Sequence, residues 1–503
     1  MGRVIVLGGG LAGLVCAKVL AERKVAVEVW EASARFGGKA GSTLHNGRWV
    51  DHGFHIFPAW YQNTNALLDE LGIVDVWRSK DFDEVDAEDV PGKRRGDSRG
   101  KPIKYRKLSR TMVATLDMIS RPPWYLDDLS VDGFLRARLY AGRSSGERLR
   151  EISRKALGSP AYLTSSLSMQ RNLHWWMPVF NEPNWNALKG SLQTTFIDPL
   201  ADAARAAGAK LFLNRKLDRI EVRNGRLVPM AVGDAPGSGD EDAIVVSALP
   251  VEVVKDIARR NPVALGQLVE LNSKLKDIQY LDASPLAALD LHLTKRLDSL
   301  PPHHFILRAS RYDLTGLDIT KVWKDYAADP KHPTVIQFCA GDTTAIRWLP
   351  DEAFLDRLID EVRRFFPFER ADVDREHTRA MKHIDAPLFM NEVGSNSKRV
   401  EPNGPNGSGV TDLYIIGDHT DTPVDLACME GAVYSALLAA QAICKGLGID
   451  GPAPKELQGV PAGQRRFLKV ARYPLGWAAL PLRLTEPYYR QRVSQQQAPL
   501  QDG

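Results

Sequence analysis

The sequence predicts an α/β protein in which a nucleotide-binding domain with a parallel sheet is assembled from separated stretches of chain, with a second domain inserted between them. Three observations carry this. An apolar strand pattern runs into a glycine-rich turn and a helix at residues 4–23, strand patterns of the same buried kind return near the middle and near the end, and no contiguous stretch contains them all. Of the 503 residues, 44% are apolar and 8% aromatic, which is globular composition. At about 150 residues per domain the length allows about three domains, or fewer large ones. Lys and Arg number 66 against 62 Asp and Glu, and a net charge of +4 gives no argument for a nucleic-acid partner. Cys16, Cys339, Cys428 and Cys444 are too scattered for a disulfide framework or a zinc site, so a reducing, cytoplasmic compartment is expected. No stretch approaches the roughly 20 apolar residues that a membrane span needs. The apolar run 4–17 resembles a signal peptide only superficially, because three consecutive glycines interrupt it.

Taken in order, residues 4–7 (Val-Ile-Val-Leu) have the composition of a strand buried on both faces and stop at Gly8-Gly9-Gly10. From 11 to 23, Leu14, Val15 and Val19 recur at helical spacing beside the small residues Ala12, Gly13 and Ala17. Val25, Val27 and Val29 then alternate as a strand ending at Glu31, which completes a βαβ unit. Residues 211–222 and 226–232 read as a hairpin turned at Asn224-Gly225, and 243–248 as another buried strand. Residues 413–416 are a last strand, and 429–447 a final helix of small and apolar residues. Stretches 91–101, 234–242 and 402–409 are expected to be surface loops.

Gly8-x-Gly10-x-x-Gly13 between strand and helix, with an acidic residue about 20 positions on, is the dinucleotide fingerprint. Gly8 allows the tight turn, Gly10 admits a pyrophosphate against the backbone, and Gly13 permits close helix packing. Leu11 and Ala12 begin a helix whose N–H groups face the phosphates. Glu31 is expected to accept hydrogen bonds from a ribose diol, and its charge disfavours the 2′-phosphate of NADP. Next come Glu31-Ala32-Ser-Ala-Arg35-Phe-Gly37-Gly38-Lys39, which place two glycines and two cations near the pyrophosphate.

At this point the sequence resembles the flavin amine oxidase and carotenoid desaturase superfamily, in which such a segment continues the FAD site. Residues 50–57 (Val-Asp-His-Gly-Phe-His-Ile-Phe), then Ala59-Trp-Tyr-Gln-Asn63, narrow the resemblance to plant-type phytoene and zeta-carotene desaturases. Ser166-Leu-Ser-Met-Gln170 and Phe196-Ile-Asp-Pro-Leu200 are similar to the same group. So are Ile416-Gly417-Asp418 and Leu426-Ala-Cys-Met429-Glu430-Gly431-Ala432. The resemblance implies a Rossmann-like FAD-binding domain built from 1–75, 205–260 and 385–450. An inserted α+β substrate domain is expected from 76–204 and 261–384, followed by an extension, 451–503. It implies FAD contacts at Gly38 and Lys39, at Gly53, Phe54 and His55 near the flavin ring, at Leu217, at Asp418 beside Gly417, and at the 429–432 helix start. The alternative for Arg35 and Lys39 is that they are solvated loop charges. Residues 80–160 and those after 450 match the family poorly.

A flavin takes hydride at N5, so few catalytic side chains are required. His55 and Glu430 are the catalytic candidates. His52 and His55 have a pKa suited to accepting a proton, to orienting the flavin or to a structural bond. Glu430, in the first turn of a helix, reads chiefly as a complement to the helix dipole or as part of a cap, and Cys428 as a small buried residue. His303, His304, His377 and His383 lack carboxylate or cysteine companions at metal spacing, and no metal site is expected. The aromatic segment 172–180 reads as ordinary core or as an apolar pocket, and the resemblance favours a channel for a long isoprenoid.

Between 461 and 492, seven cations and one acid are interleaved with Phe467, Tyr473, Trp477, Tyr488 and Tyr489. That mixture suits a peripheral position on the inner, anionic face of a membrane. Prolines 474, 481 and 487 are expected to prevent one long helix, which leaves a basic tail packed on the body as the other reading. The leading expectation is an FAD-dependent oxidoreductase that desaturates a hydrophobic isoprenoid or carotenoid-like substrate, with a quinone as electron acceptor. An oxygen-using amine oxidase, a redox-neutral or dehydroxylating enzyme on a squalene-type lipid, and a non-catalytic prenyl-binding escort are the alternatives.

Overall fold

The computed structural model describes residues 2–87, 101–102, 108–138, 143–179, 181–235, 237–326 and 329–479. Packing divides the chain into two compact units. The first comprises Met1–Ile103, Val179–Met390 and Ser395–Leu457; the second comprises Lys104–Pro178, Asn391–Gly394 and Gln458–Gly503.

In the first unit a five-stranded parallel sheet is built from β1 (Val4–Leu7), β2 (Val27–Trp30), β3 (Lys210–Phe212), β4 (Ile244–Ser247) and β5 (Leu413–Ile415), in the order β5-β4-β1-β2-β3. Its inner strands β1 and β4 are buried along their whole length and almost wholly apolar because both faces are covered, while the edge strand β3 is partly exposed. Val4, Val6, Val27, Val29 and Val246 enter one core with helices α1 (Leu11–Glu22), α3 (Asp198–Ala207) and α4 (Met429–Gly446), while α2 (Gln62–Glu70) contributes Leu67 and Leu68 to the same core. Ile5, Leu7, Val245, Leu413 and Ile415 enter the other, beneath the hairpin Leu217–Arg223 and Arg226–Ala231. The hairpin turn has Asn224 at φ 51° and Gly225 at φ 76°, the left-handed pair that an Asn-Gly turn provides.

The expected strand 211–222 is divided. Its first residues join the parallel sheet as β3, the chain bends at Asn214 (φ 53°), and only from Leu217 does it enter the hairpin. Stretch 402–409 contains a short helix, Pro405–Ser408, where a loop was expected. Most of 91–101 lies outside the described residues; Lys101–Pro102 pairs as an edge strand.

The same unit holds a seven-stranded sheet in the order Arg379–Met381, Ala287–Leu293, Thr334–Ala340, Leu314–Asp318, His304–Arg308, Phe82–Asp86, Lys101–Pro102. Alternation along Ala287–Leu293 sorts its side chains. Ala287, Leu289, Leu291 and Leu293 enter a core with helix Asp351–Arg363, which leaves Ala288, Asp290 and His292 on the opposite face, all buried. Gln337 and Cys339 of the neighbouring strand share that face by the same alternation, with Gln337 directly across from Asp290.

The second unit is helical among its described residues: Leu108–Ser120, Pro123–Leu126, Val131–Arg136, Arg143–Ala156, Ser166–Trp176 and Ala462–Ala479. Ser165 caps the fifth of these through its hydroxyl, which accepts from the Leu167 N–H at 3.1 Å. Gln170 donates to the carbonyls of Met118 (2.7 Å) and Arg121 (2.8 Å), closing the end of Leu108–Ser120. Ala462–Ala479 packs against Leu108–Ser120 and runs through Pro474, contrary to the expectation that proline would break it there. The position forfeits one backbone bond, to the Val470 carbonyl, on a helix with an exposed side where water can satisfy that group.

Candidate active site

The first half of the site lies beyond the carboxyl ends of β1 and β5, neighbours but for β4 in the sheet. Gly8 turns at φ 103°, and a Cβ there would lie 2.9 Å from the Ala248 carbonyl oxygen. A Cβ on Gly13 would fall 2.0 Å from the Gly8 carbonyl oxygen, so only glycine lets α1 start this close to the turn. Gly10 differs from both. A Cβ there meets nothing nearer than Gly37 and Gly38 backbone at 3.9 Å and points into the open hollow between the two glycine segments. The Gly37 N–H bonds the Gly9 carbonyl at 2.8 Å, which fixes that hollow's width. The helix α1 has no side-chain cap and no acidic residue in its first turn, so the N–H groups at Leu11, Ala12 and Gly13 carry their partial positive charge unneutralised.

Glu31 closes the strand end. Its carboxylate accepts from the Gly9 N–H (2.7 Å) and from the Ser33 N–H and hydroxyl (2.8 and 2.7 Å). Leu217 is buried two residues beyond Arg215, whose N–H bonds the Glu31 carbonyl at 2.8 Å. Ala32 and Arg35 are exposed, the guanidinium 5.7 Å from the Trp49 ring. Lys39 is held by Glu252 (2.9 Å) and the Pro387 carbonyl (2.5 Å), so its charge stands at the glycine pair in a fixed position.

Beyond β5, Gly417 turns at φ 137° and its N–H bonds the Ser435 hydroxyl of α4 at 2.9 Å. Asp418 follows, and burial raises its pKa, opposed by the nearby Lys39 charge. Gly431, in the first turn of α4 after Met429 and before Ala432, allows close approach: a Cβ there would sit 2.9 Å from the Leu426 carbonyl oxygen and 3.6 Å from the Asp418 Cα. Glu430 is fully buried. One oxygen accepts from the Asn63 N–H and side-chain amide (3.0 and 2.8 Å), the other from the Thr64 N–H and hydroxyl (2.8 and 2.7 Å). Burial raises its pKa, while those four donors favour the charged form. Glu430 therefore serves as the cap of α2, whose first turn contains Asn63 and Thr64.

The second half is the segment after Val50, laid over the polar face of the seven-stranded sheet. Gly53 (φ 92°) has no room for a side chain, since a Cβ would be 2.5 Å from the Cys339 sulfur. A small cavity here is lined by Asp51, Phe54, His55, Phe57, Leu192, Leu317, Trp323 and Gln337, among others. Burial pushes the His55 pKa down to about 4, with His52 as a further cause, so the ring is neutral at neutral pH; its Nδ1 has no hydrogen-bond partner among the described residues. His52 bonds the Thr43 hydroxyl at 3.3 Å and meets the His383 ring edge-on, with centroids 4.9 Å apart. Asp51 was passed over as a site residue. Burial pushes its pKa up to about 7 against hydrogen bonds from Ser42 (2.5 Å) and the Leu192 N–H (3.1 Å), and the charge of Asp290 adds to the rise. His419 was also missed: it is buried, its pKa is lowered to about 3 chiefly by burial, and neither ring nitrogen has a hydrogen-bond partner among the described residues, although Nδ1 lies 3.9 Å from the Asp418 carboxylate. Its place directly after Gly417-Asp418 was the available signal. For Asp51 there was none, because Asp290 and Leu192 reach it only through the fold. Of the histidines read as lacking companions, His377 has a carboxylate at 3.1 Å, that of Asp374.

An uncapped helix N-terminus behind a bare-backbone hollow, an acid at the next strand end, and unpartnered imidazoles near the two remaining motifs fit a dinucleotide bearing a heteroaromatic ring. The family model described as flavin containing amine oxidoreductase matches residues 11–444. This chain belongs to that family. It is an FAD-dependent oxidoreductase of α/β fold. Among curated relatives, the 15-cis-phytoene desaturase of Synechococcus elongatus is 24% identical over 88% of this chain and 95% of its own length; that of Narcissus pseudonarcissus is 25% identical over 88% and 79%. Cyclohexylamine oxidase from Brevibacterium oxydans shares the fold, with a TM-score of 0.65 at 19% identity over 89% of this chain and 99% of that one. A putrescine oxidase does so at 0.66 and 16%, over 89% and 99%.

The two glycines separate folding from cofactor retention in this flavoenzyme. Gly13→Val is expected to give insoluble protein, whereas Gly10→Val yields folded, colourless protein with a native circular dichroism spectrum. Full flavin absorbance in Gly10→Val contradicts the assignment of the hollow.

Proposed function

We propose that this flavoenzyme dehydrogenates a long hydrophobic isoprenoid of the carotenoid-precursor kind and that a quinone takes up the electrons. The observation that carries the reading is the lining beside residues 51–57. Phe54, Phe57, Leu192, Leu317 and Trp323 are apolar, and its polar groups offer little to a charged substrate. His55 is neutral at neutral pH, and Asp51 is already bonded by Ser42 and Leu192. An ammonium substrate placed there meets one acid, Asp51, whose pKa burial pushes up to about 7 and whose negative charge is thereby weakened, while a polyene loses only water. The names of the curated relatives, matched over most of the chain, support the same substrate class.

Bound FAD supplies the acceptor for a hydride from substrate carbon. The protein holds the cofactor's phosphates against backbone N–H groups, keeps water from the apolar lining, and presents one neutral imidazole, at His55, to take up the departing proton or to bond the cofactor. The proton leaves an allylic position with little assistance, because the new double bond extends conjugation. Flavin bleaching tests this. Anaerobic oxidised enzyme is expected to bleach with polyenes and not with amines; bleaching by amines alone overturns the reading, and bleaching by neither with polyene rearrangement redirects it to redox-neutral chemistry.

The second unit supports delivery from a lipid surface. On Ala462–Ala479, Leu468 and Ala471 face inward, while Phe467 (70% exposed), Val470 (70%), Tyr473 (61%) and Trp477 (75%) form one outward stripe flanked by Arg465, Arg466 and Lys469. Apolar anchors amid cations match an anionic bilayer interface. No helix among the described residues is long and apolar enough to cross one. The protein is expected to sediment with anionic vesicles and to lose much of that binding on Phe467→Ala plus Trp477→Ala; unchanged binding leaves the stripe without this role.

A further inference from the structure

A second cluster of ionisable groups lies at one end of the seven-stranded sheet and plays no part in holding the cofactor. Strand Ala287–Leu293 is flanked by Thr334–Ala340 and Arg379–Met381, and the loops entering those two neighbours meet beside its last residues. One loop brings His332, the other Asp374 and His377. His332 is fully buried, and Asp374 and His377 keep only 10% and 11% of their side chains exposed. The Asp374 Oδ2 stands 2.7 Å from His332 Nε2 and 3.1 Å from His377 Nδ1, and the three atoms lie within 4.8 Å of one another.

The surroundings are those of a built site and not of a chance contact. The other oxygen of Asp374 is already committed to the N–H groups of Glu376 (3.0 Å) and His377 (3.2 Å), which aims Oδ2 at the two imidazoles. The second nitrogen of His332, Nδ1, bonds Asp329 at 2.9 Å, and Asp329 is itself held by Arg48 at 2.6 Å. A carboxylate behind an imidazole fixes the ring and raises its basicity, the arrangement found behind metal-ligating histidines. A further imidazole packs against the cluster: the His292 ring is 5.2 Å from that of His332 and 5.9 Å from that of His377, and its Nδ1 has no partner among the described residues. Lys331 reaches to within 3.7 Å of the Asp374 Oδ2, but its side chain is 60% exposed and can withdraw.

We propose that His332 Nε2, His377 Nδ1 and Asp374 Oδ2 bind one divalent cation of the zinc type, clipping the two loops together at the end of strand Ala287–Leu293. Two nitrogens and one carboxylate oxygen are the donors that such an ion takes, and three protein ligands leave a position for water. Metal–ligand bonds of about 2.0–2.2 Å set neighbouring donors about 3–3.5 Å apart, so the Asp374–His332 contact opens by a few tenths of an ångström while the two imidazole nitrogens, the widest pair of a cluster spanning 4.8 Å, draw together by about an ångström as the two loops close on the ion. No oxidation state changes. The ion replaces the proton between His332 and Asp374, which passes to solvent, and His377 carries its remaining proton on Nε2.

The test uses the full-length, flavin-loaded protein after chelator treatment, dialysed to equilibrium against Zn²⁺ and against Co²⁺ with the bound metal assayed directly. One ion per chain is expected for the wild type, with a rise in thermal midpoint. His377→Ala and Asp374→Asn should each weaken binding at least 100-fold, and Asp329→Asn by roughly 10- to 100-fold through the ring it orients. Circular dichroism and flavin content verify that each variant is folded. Wild type that binds less than 0.1 equivalent of either metal, or as much as folded His377→Ala, overturns the proposal and leaves an imidazole clamped between two carboxylates. Because the readout is bound metal, the result does not depend on the substrate assignment.

Discussion

The structure depends on one close approach of bare backbone, where the turn after β1 meets the Gly37-Gly38 segment. The Gly8 carbonyl lies so near Gly13 that a single methyl group would overlap it, and the Gly37 N–H ties the second segment to Gly9. This apposition does two things at once. It lets α1 pack down on the parallel sheet, and it opens the positive end of that helix to a hollow that only glycine leaves free at position 10. The other pieces are arranged to preserve it. Glu31 bonds the turn from the next strand, Lys39 is held at the pair by Glu252, and Gly431 brings α4 against Asp418.

A comparable constraint governs the other half of the site. Because side chains alternate along Ala287–Leu293, filling one core with leucines commits the opposite face to Ala288, Asp290 and His292. A face with buried polar groups needs partners, and the segment after Val50 lies across it. Asp51 acquires its raised pKa there, and Gly53 fits against Cys339. The polar face of one strand thus lies against this segment near its middle and beside the histidine cluster at its end.

The nucleotide half was legible in the sequence because its signals are local. β1, the glycine turn, α1 and β2 occupy 27 consecutive positions, and the Asn224-Gly225 turn announces its own hairpin. The division of 211–222 was hidden because propensity does not say which residues a neighbouring strand will claim; β2 captures 210–212 and leaves the rest to the hairpin. The partners of Glu430, Asn63 and Thr64, lie more than 360 positions away, and no spacing rule links them. The His332 cluster escaped for the same reason, since 42 positions separate that residue from Asp374. Pro474 was misread in the opposite direction: a proline penalises a helix by a few kcal/mol, about 3, and packing against Leu108–Ser120 outweighs it.

The central claim is that backbone N–H groups at a glycine-only hollow hold the pyrophosphate and that Glu31 holds the adenosine ribose, so the protein recognises the nucleotide half of its flavin. The most direct measurement is the affinity of flavin-stripped protein for FAD against FMN, which keeps the ring but lacks the second phosphate and the adenosine. The account predicts FAD bound roughly 100-fold or more tightly, equivalent to about 2.7 kcal/mol. Equal affinities would contradict it, because the hollow and Glu31 would then contribute nothing that the ring does not.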